Sequence, residues 1–344
     1  MKVALLTHPA TSVLRGGPRV QLEQTARELT SLGVDVHHIT GENQLGKDSV
    51  DLVHIFGAGM GTYHVARALH LASIPVVLSP IYITRRSPLQ VRTVRSIDGI
   101  LRRIMPGFWT DYGMIAEMCS WARIVAPNTG VEADLFRDAF GVGSDRIMTV
   151  PNGVEERFAH ASKDRFVEAY GLQDFILNVG HIGPARKNVG KLLEAVQGIE
   201  VPTVVIGRIE DTREGRSLVS RAKENPHVTI IDHVDHDSEL LASAYAACRL
   251  FVLPSLFETP GIAALEAALA GAQIVITPHS GTREYFGDHA VYVDPYSAQD
   301  IRRGIREGLE RSPDQALSQH ISSSFLWSHV ARRTLEIYRT ALAS

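Results

Sequence analysis

Two glutamates, Glu258 and Glu266, are separated by seven residues in a stretch that reads FVLPSLFETPGIAALEAALAG over positions 251–271. Glu266 sits among Ile262, Ala263, Ala264, Leu265, Ala267, Ala268 and Leu269, a setting that little water should reach. A carboxylate buried there needs a partner. A vicinal diol such as a ribose is a good one, because two hydroxyls donate to its two oxygens. Glu258 falls at the mouth, where it would hold sugar hydroxyls beside a phosphate. The competing reading is a helix-dipole carboxylate plus a core salt bridge.

The elements around the pair set its geometry. Residues 251–253 form a short apolar run suited to a buried strand. Pro254 and Ser255 stop it, and Leu256, Phe257 and Glu258 lie in the turn that follows. Thr259 offers an N-cap oxygen and Pro260 suits the first helical position. Residues 261–270 are rich in Ala and Leu, and Gly271 closes the helix as a left-handed cap. Ligands of open parallel sheets sit outside the carboxyl ends of the strands, and helix N-termini attract anions.

The 344 residues suffice for two domains of ordinary size. A hydrophobic content of 44% with 21% charged residues fits a globular protein, and a net charge of −3 argues against a general nucleic-acid binder. Cys119 and Cys248 stand far apart with no metal-ligand neighbours, which suits buried thiols in a reducing compartment. The opening MKVALLTHPA reads as a strand rather than a signal peptide, and no run is long enough to span a membrane. A cytoplasmic protein is expected, with the option of peripheral attachment to the inner face of a membrane. His227, His233 and His236 match no standard ligand spacing, so no metal site is expected.

Strand, glycine turn, helix, strand is how the chain opens: 2–7, Arg15-Gly16-Gly17-Pro18, a helix over about 19–32, then 34–39. Residues 51–56 and 74–79 supply two more strands, and His54 suits a core histidine bonded to backbone. Six arginines (85, 86, 92, 95, 102, 103) stand against Asp98 alone in 85–103, interleaved with Val91, Val94, Ile97, Ile100, Leu101 and Ile104. A basic amphipathic helix of that kind binds an anionic membrane or a phosphorylated acceptor, or else packs one apolar face on its domain. Residues 123–128 read as a strand, and the helix after it, 130–140, leads to 147–150 and the turn Pro151-Asn152-Gly153-Val154; the polar stretch 160–170 reads as an interdomain connection. A second domain opens with the strand ending at Gly180, the loop His181-Ile182-Gly183-Pro184-Ala185-Arg186-Lys187-Asn188 with Asn188 as N-cap, and a helix. Strands over 204–208, 228–232 and 274–277 follow.

The sequence E-T-P-G-I-A-A-L-E at 258–266 resembles the E-x7-E signature of retaining, nucleotide-sugar-dependent glycosyltransferases of family 4, which have the GT-B fold. The usual Gly-Phe is Thr259-Pro260 here. The glycine loop at Gly16-Gly17, the P-N-G-V segment and G-H-x5-K-N at Gly180, His181, Lys187 and Asn188 resemble further motifs of that family, in the same order. The family's G-R-x5-K-N arginine is His181, and the histidine that many relatives carry beyond the fourth strand is absent, with Pro80-Ile81-Tyr82 in its place.

The resemblance implies an α/β GT-B protein: two facing Rossmann-like domains, with a C-terminal helix over about 325–344 crossing back to the first. Residues 1–158 would bind the acceptor and 171–324 the donor. It implies transfer of a hexose from a nucleoside-diphosphate sugar, a UDP- or GDP-sugar, to a hydroxyl of a glycan, lipid-linked or small-molecule acceptor. The anomeric configuration would be retained, with no cofactor and no metal. Glu258 would position the sugar and Glu266 the ribose. Lys187, with the Gly16 and Gly17 amides, would neutralise the leaving diphosphate, and His181, Arg186 or Arg208 would make up the missing charge. Gly180, Val234 and the run Thr259, Pro260, Gly261, Ile262 would complete the donor site, and Tyr82, Arg85 and Arg86 the acceptor side. The alternatives are a weakly catalytic or non-catalytic member that binds nucleotide sugar or a partner glycosyltransferase, a nucleotide-sugar epimerase, and a dehydrogenase. The epimerase class lacks the combined motifs, and a dehydrogenase is disfavoured by the missing G-x-G-x-x-G after the first strand.

Overall fold

The computed structural model describes residues 1–9, 16–39, 46, 48–84, 86–105, 109–312 and 315–343, so the expected acceptor residue Arg85 lies outside the described residues. Short apolar strands alternate with helices throughout, the pattern that builds parallel sheets covered on both faces. The chain divides into two units, residues 1–153 with 327–344, and residues 154–326.

In the first unit, β1 (Lys2–Thr7), β2 (Asp35–His38), β3 (Leu52–Phe56), β4 (Val76–Ser79) and β5 (Ile124–Val125) alternate with helices. These are α1 (Gly17–Ser31), α2 (Met60–Leu71), α3 (Pro88–Ile104), α4 (Asp111–Trp121) and α5 (Gly130–Asp138). The strand order is β2-β1-β3-β4-β5, all parallel. Residues 147–150 add an isolated parallel bridge from Ile147 to Val125.

The second unit holds α6 (Asp164–Tyr170), β6 (Phe175–Val179), α7 (Val189–Ala195), β7 (Thr203–Ile206), α8 (Arg213–Lys223), β8 (Val228–Ile231) and α9 (Glu239–Ala247). It continues with β9 (Cys248–Leu253), α10 (Ile262–Leu269), β10 (Gln273–Ile276), α11 (Thr282–Phe286), β11 (Val291–Tyr292), α12 (Ala298–Glu310) and α13 (Gln315–Ser324). Its parallel sheet runs β11-β10-β9-β6-β7-β8. Strand order therefore reverses between β6 and β9, and ligands of such sheets bind outside that point. The stretch 160–170, expected as a connection, instead lies inside this unit: Phe166 is fully buried and its amide donates to Ser243 Oγ at 2.9 Å.

The last helix, α14 (Trp327–Ala343), returns to the first unit. Trp327, Val330, Ile337 and Tyr338 join Val3, Leu5, Phe56, Val77 and Ile124 in one core. Gly153 explains itself here, since a Cβ at that position would stand 2.5 Å from the Trp327 ring. His54 is a buried core residue as expected, but its partners are side chains: Tyr338 Oη lies 2.7 Å from Nδ1 and Ser79 Oγ 2.9 Å from Nε2. Desolvation lowers its pKa to about 3.

The helix α3 departs from the simple amphipathic expectation. Ser87 and Gln90 form a capping box at its start. Val91 and Asp98 are buried, and Arg102 Nε reaches Asp98 Oδ2 at 2.8 Å while its guanidinium lies 4.3 Å over the Trp109 ring. Leu89, Ile97, Ile100 and Ile104 are exposed by 71%, 51%, 58% and 71%. The apolar residues are thus split, with an aliphatic stripe outward and an ion pair inward.

Candidate functional site

The carboxyl ends of β6 and β9 in the second unit carry the loops that hold Lys187 and Glu258. After β6, residues 180–188 include a single 3-10 turn, Ala185–Lys187, which ends at Asn188 in a left-handed conformation. Asn188 stands at the N-cap position of α7 but makes no capping bond. Its Nδ2 donates instead to the carbonyls of Pro254 (2.8 Å) and Pro295 (2.7 Å), which ties the loop to the ends of two strands. Asn188 thus holds the expected N-cap position without a side-chain capping bond. A second tie runs from the Leu256 amide to the Arg186 carbonyl at 2.9 Å.

This bracing brings two cations onto one carboxylate. Lys187 Nζ lies 2.7 Å and Arg186 Nη1 3.0 Å from Glu258 Oε1, and Glu258 is only 6% exposed. Burial pushes the Glu258 carboxyl up, but the Lys187 and Arg186 charges and the Lys187 hydrogen bond outweigh it, so its pKa falls below the ordinary value. The Lys187 stem runs beside Gly180, where a Cβ would be 3.5 Å from Cδ. Gly207 is more constrained, because a Cβ there would lie 1.8 Å from the Gly180 carbonyl oxygen.

His181 follows Gly180 and is half-buried. Burial lowers its pKa, Glu210 opposes that, and Lys187, Arg208 and Arg186 reinforce it. The ring is therefore a neutral imidazole at pH 7, able to donate one hydrogen bond but not to supply an arginine's charge. Arg208, exposed just beyond β7, accepts the Ile182 amide on its carbonyl at 3.0 Å. Three cations and a neutral imidazole accordingly gather at the reversal point of the sheet.

The segment before α10 differs from the expected helix start. Thr259 Oγ1 donates to the Ser280 carbonyl at 3.1 Å, the Thr259–Pro260 bond is cis, and the helix begins at Ile262 with Gly261 at φ 84° as its N-cap. Gly261 has a steric reason besides its φ, since a Cβ there would meet Leu253 Cδ2 at 2.8 Å. Gly271 at φ 97° ends the helix in the left-handed form expected.

Glu266, 3% exposed on α10, already has partners. His236 Nε2 lies 2.6 Å from Oε1, and the Tyr245 hydroxyl donates to Oε2 at 2.7 Å. The two partners come from 30 and 21 residues upstream, and the His236 contact is a core ion pair of the kind the competing sequence reading allows. Among the described residues, Glu155, His236 and Asp237 bring ligand atoms within 4.8 Å of one another. Both ring nitrogens of His236 face carboxylates, Nε2 toward Glu266 and Nδ1 toward Asp237 at 3.2 Å. Val234, in the loop after β8, packs its side chain against the core of the unit.

The remaining predicted residues belong to the first unit. Gly16 and Gly17 are exposed at the start of α1, where the Gly16 carbonyl accepts the Arg19 amide at 3.0 Å. Tyr82 lines a cavity of about 400 Å³ with His8, Gly59, Met60, Asp111 and Ile115, at the carboxyl ends of β1, β3 and β4. Its amide donates to Glu132 Oε1 at 2.7 Å. Arg86 is exposed, with its guanidinium 5.5 Å from the Tyr112 ring centroid.

Residues 161–322 match the family described as Glycosyl transferases group 1. Over 223 residues the chain is 29% identical to a serotype-specific mannosyltransferase of Escherichia coli, covering 59% of this chain and 27% of the relative. The match thus spans about a quarter of the length of the curated relatives it meets first. A longer match, 27% identical over 346 residues, is to D-inositol 3-phosphate glycosyltransferase 1 of Catenulispora acidiphila and covers 90% of this chain and 82% of that one. Among solved structures, a glycosyltransferase from Rickettsia africae superposes with a TM-score of 0.74 at 15% identity, covering 99% of this chain and 98% of the other. The Anabaena protein HepE in complex with UDP and glucose gives 0.72 at 16% identity, covering 98% of each. These matches show the fold, an α/β protein of two parallel-sheet Rossmann-like domains shared with GT-B glycosyltransferases, and support that superfamily for this chain.

Proposed function

We propose that the chain is a family 4-like glycosyltransferase that moves a hexose from a nucleoside-diphosphate sugar to an acceptor hydroxyl with retained configuration and without a metal. The observation that carries this reading is the Glu258 carboxylate, buried at the reversal point of the second sheet and held by Lys187 and Arg186. Lys187 has three N–H donors, so it can keep Glu258 while taking a diphosphate oxygen. Arg186 and Arg208 add charge at the same place, and neutral His181 adds a hydrogen bond. Cations already fixed in place stabilise the charge that grows as the glycosidic bond breaks.

In this reading Glu258 orients the sugar and Glu266 takes the ribose hydroxyls, with the 259–262 turn and Val234 completing the donor site. The Gly16 and Gly17 amides serve the diphosphate. A UDP- or GDP-sugar is the donor, and the capture of UDP and glucose by a protein of the same fold supports a nucleotide site. The first unit takes the acceptor, with Tyr82 at its cavity and Arg86 nearby. A mannosyltransferase and an inositol-phosphate glycosyltransferase among the relatives favour an envelope-type glycan, a lipid-linked sugar or a small polyol. No helix among the described residues is long and apolar enough to cross a membrane. The outward stripe of α3, with the exposed Arg92 on the same helix, supports peripheral contact with an anionic cytoplasmic leaflet.

His181 favours a second reading, a protein that binds nucleotide sugar but turns it over weakly. One experiment separates the two: a thermal-shift screen with UDP-, GDP-, ADP- and dTDP-sugars, followed by metal-free donor hydrolysis. Ligand at 100 times its Kd adds about 2.7 kcal/mol to the state it binds. A shift with hydrolysis is expected. A shift without hydrolysis, even with acceptors added, selects the binding-only reading, and no shift at all removes the donor site.

A further inference from the structure

Both ring nitrogens of His236 face carboxylates. Nε2 lies 2.6 Å from Glu266 Oε1, and Nδ1 lies 3.2 Å from Asp237 Oδ1 and 3.9 Å from Glu155 Oε1. A neutral imidazole carries one N–H and would turn a lone pair toward one of these oxygens, whereas an imidazolium donates on both sides. The residue is held from behind as well. Arg157 Nη2 donates to the His236 carbonyl at 2.7 Å, its guanidinium lies 4.2 Å over the Phe158 ring, and that ring meets the imidazole edge-on at 6.1 Å.

Glu266 is consequently clamped at both ends, by a cation at Oε1 and by the fully buried Tyr245 hydroxyl at Oε2. Each carboxylate oxygen has two acceptor positions, so one remains on each for a further donor. Two hydroxyls of a ribose match that remainder. Truncating His236 would free Oε1 to swing about the Tyr245 bond and would leave a buried carboxylate with one neutral partner.

We propose that His236, as an imidazolium, positions Glu266 for the donor ribose, so that loss of its proton loosens nucleotide binding. The inference rests on the donor-site reading given above. The titratable and charged groups around the ring are Glu266 on α10, Tyr245 on α9, Asp237 beside it, and Glu155 and Arg157 at the start of the unit. The Glu266 hydrogen bond, its charge and Asp237 raise the His236 pKa to about 9, against burial and Arg157. The ring is charged at neutral pH and titrates above it.

The test is calorimetric titration of the full chain with UDP and with GDP from about pH 7 to about pH 10, for wild type, His236→Ala, His236→Gln and Glu266→Ala. The Ala variant should bind the preferred nucleotide about tenfold more weakly at neutral pH, the scale of one charge-assisted hydrogen bond. The Gln amide can still donate to Oε1 and should recover most of that loss. Every other group that titrates in this range is common to wild type and His236→Gln, so wild-type affinity should fall further than the variant's as pH rises through about 9. Wild-type affinity in His236→Ala, or superposed pH curves for wild type and His236→Gln, overturns the inference. If Glu266→Ala weakens binding while both His236 variants do not, the donor site stands and only this inference falls. If wild type binds neither nucleotide, the donor site falls and takes it along.

Discussion

Lys187 Nζ stands 2.7 Å from Glu258 Oε1, and the two residues belong to the loops after β6 and β9, 71 positions apart in the chain. The same oxygen also receives Arg186 at 3.0 Å. A buried carboxylate thereby fixes two cations at the point where the strand order reverses, before any ligand arrives.

Replacing Lys187 with Ala should cost donor turnover about a hundred- to a thousandfold, the usual toll for removing one preorganised charge from a transition state. It should also destabilise the fold by about 1–3 kcal/mol, because buried Glu258 loses one of the two cations that hold it. Donor hydrolysis and a urea midpoint check both. Undiminished turnover in the variant would remove Lys187 from the diphosphate.

His54 gives a pH dependence with a definite sign. Its folded pKa of about 3 lies below the ordinary 6.5, so between those values the unfolded chain binds a proton that the folded chain refuses. Stability from this group is complete above about pH 6.5 and falls by about 1.4 kcal/mol per pH unit below it. His54→Gln should be less stable at neutral pH and show a flatter decline on acidification. Urea midpoints for both proteins across that range decide it, and parallel curves would refute the assignment.

Two glycines at the donor loop should behave differently. Gly180→Ala places its methyl in ordinary contact with the Lys187 stem and should leave stability nearly unchanged. Gly207→Ala drives its methyl to 1.8 Å from the Gly180 carbonyl oxygen, which cannot be relieved by a side-chain rotation. That strain should cost about 3 kcal/mol or more. Thermal denaturation of the two variants tests the contrast, and equal melting temperatures would contradict it.

Changing Ile97, Ile100 and Ile104 together to Ser should move stability by no more than about 0.5 kcal/mol per site, since all three are exposed. Sedimentation with phosphatidylglycerol vesicles should show binding by wild type and its loss in the triple variant. Equal partition of both proteins would mean that the stripe does not meet lipid.

The backbone plan was legible because local rules and the global fold agree: apolar runs, glycine turns and Ala-rich helices each favour the element they form. The Glu258 to Glu266 spacing and the 180–188 loop could be placed for the same reason. What escaped was decided by partners distant in sequence. Asn188 looks like a helix cap, yet two proline carbonyls, 66 and 107 residues away, take its amide. Thr259 looks like a cap as well, but Ser280 claims its hydroxyl. The isoleucines of α3 could pack inward or meet a surface, and the inward places go to Val91 and to Asp98, which pairs with Arg102 and accepts the Thr110 amide at 3.1 Å. Glu266 could be recognised as a buried acid in need of a partner, but nothing in its own neighbourhood pointed to His236 or Tyr245.

The bond between His54 and Tyr338 bears on how the chain is made. During translation, residues 154–326 are synthesised before the helix that carries Tyr338, so the core that α1 and the sheet form in the first unit waits for Trp327, Val330, Ile337 and Tyr338. The second unit has every strand and helix of its own core by then and can close first. Of the two units, the one that emerges earlier is therefore the one that finishes later.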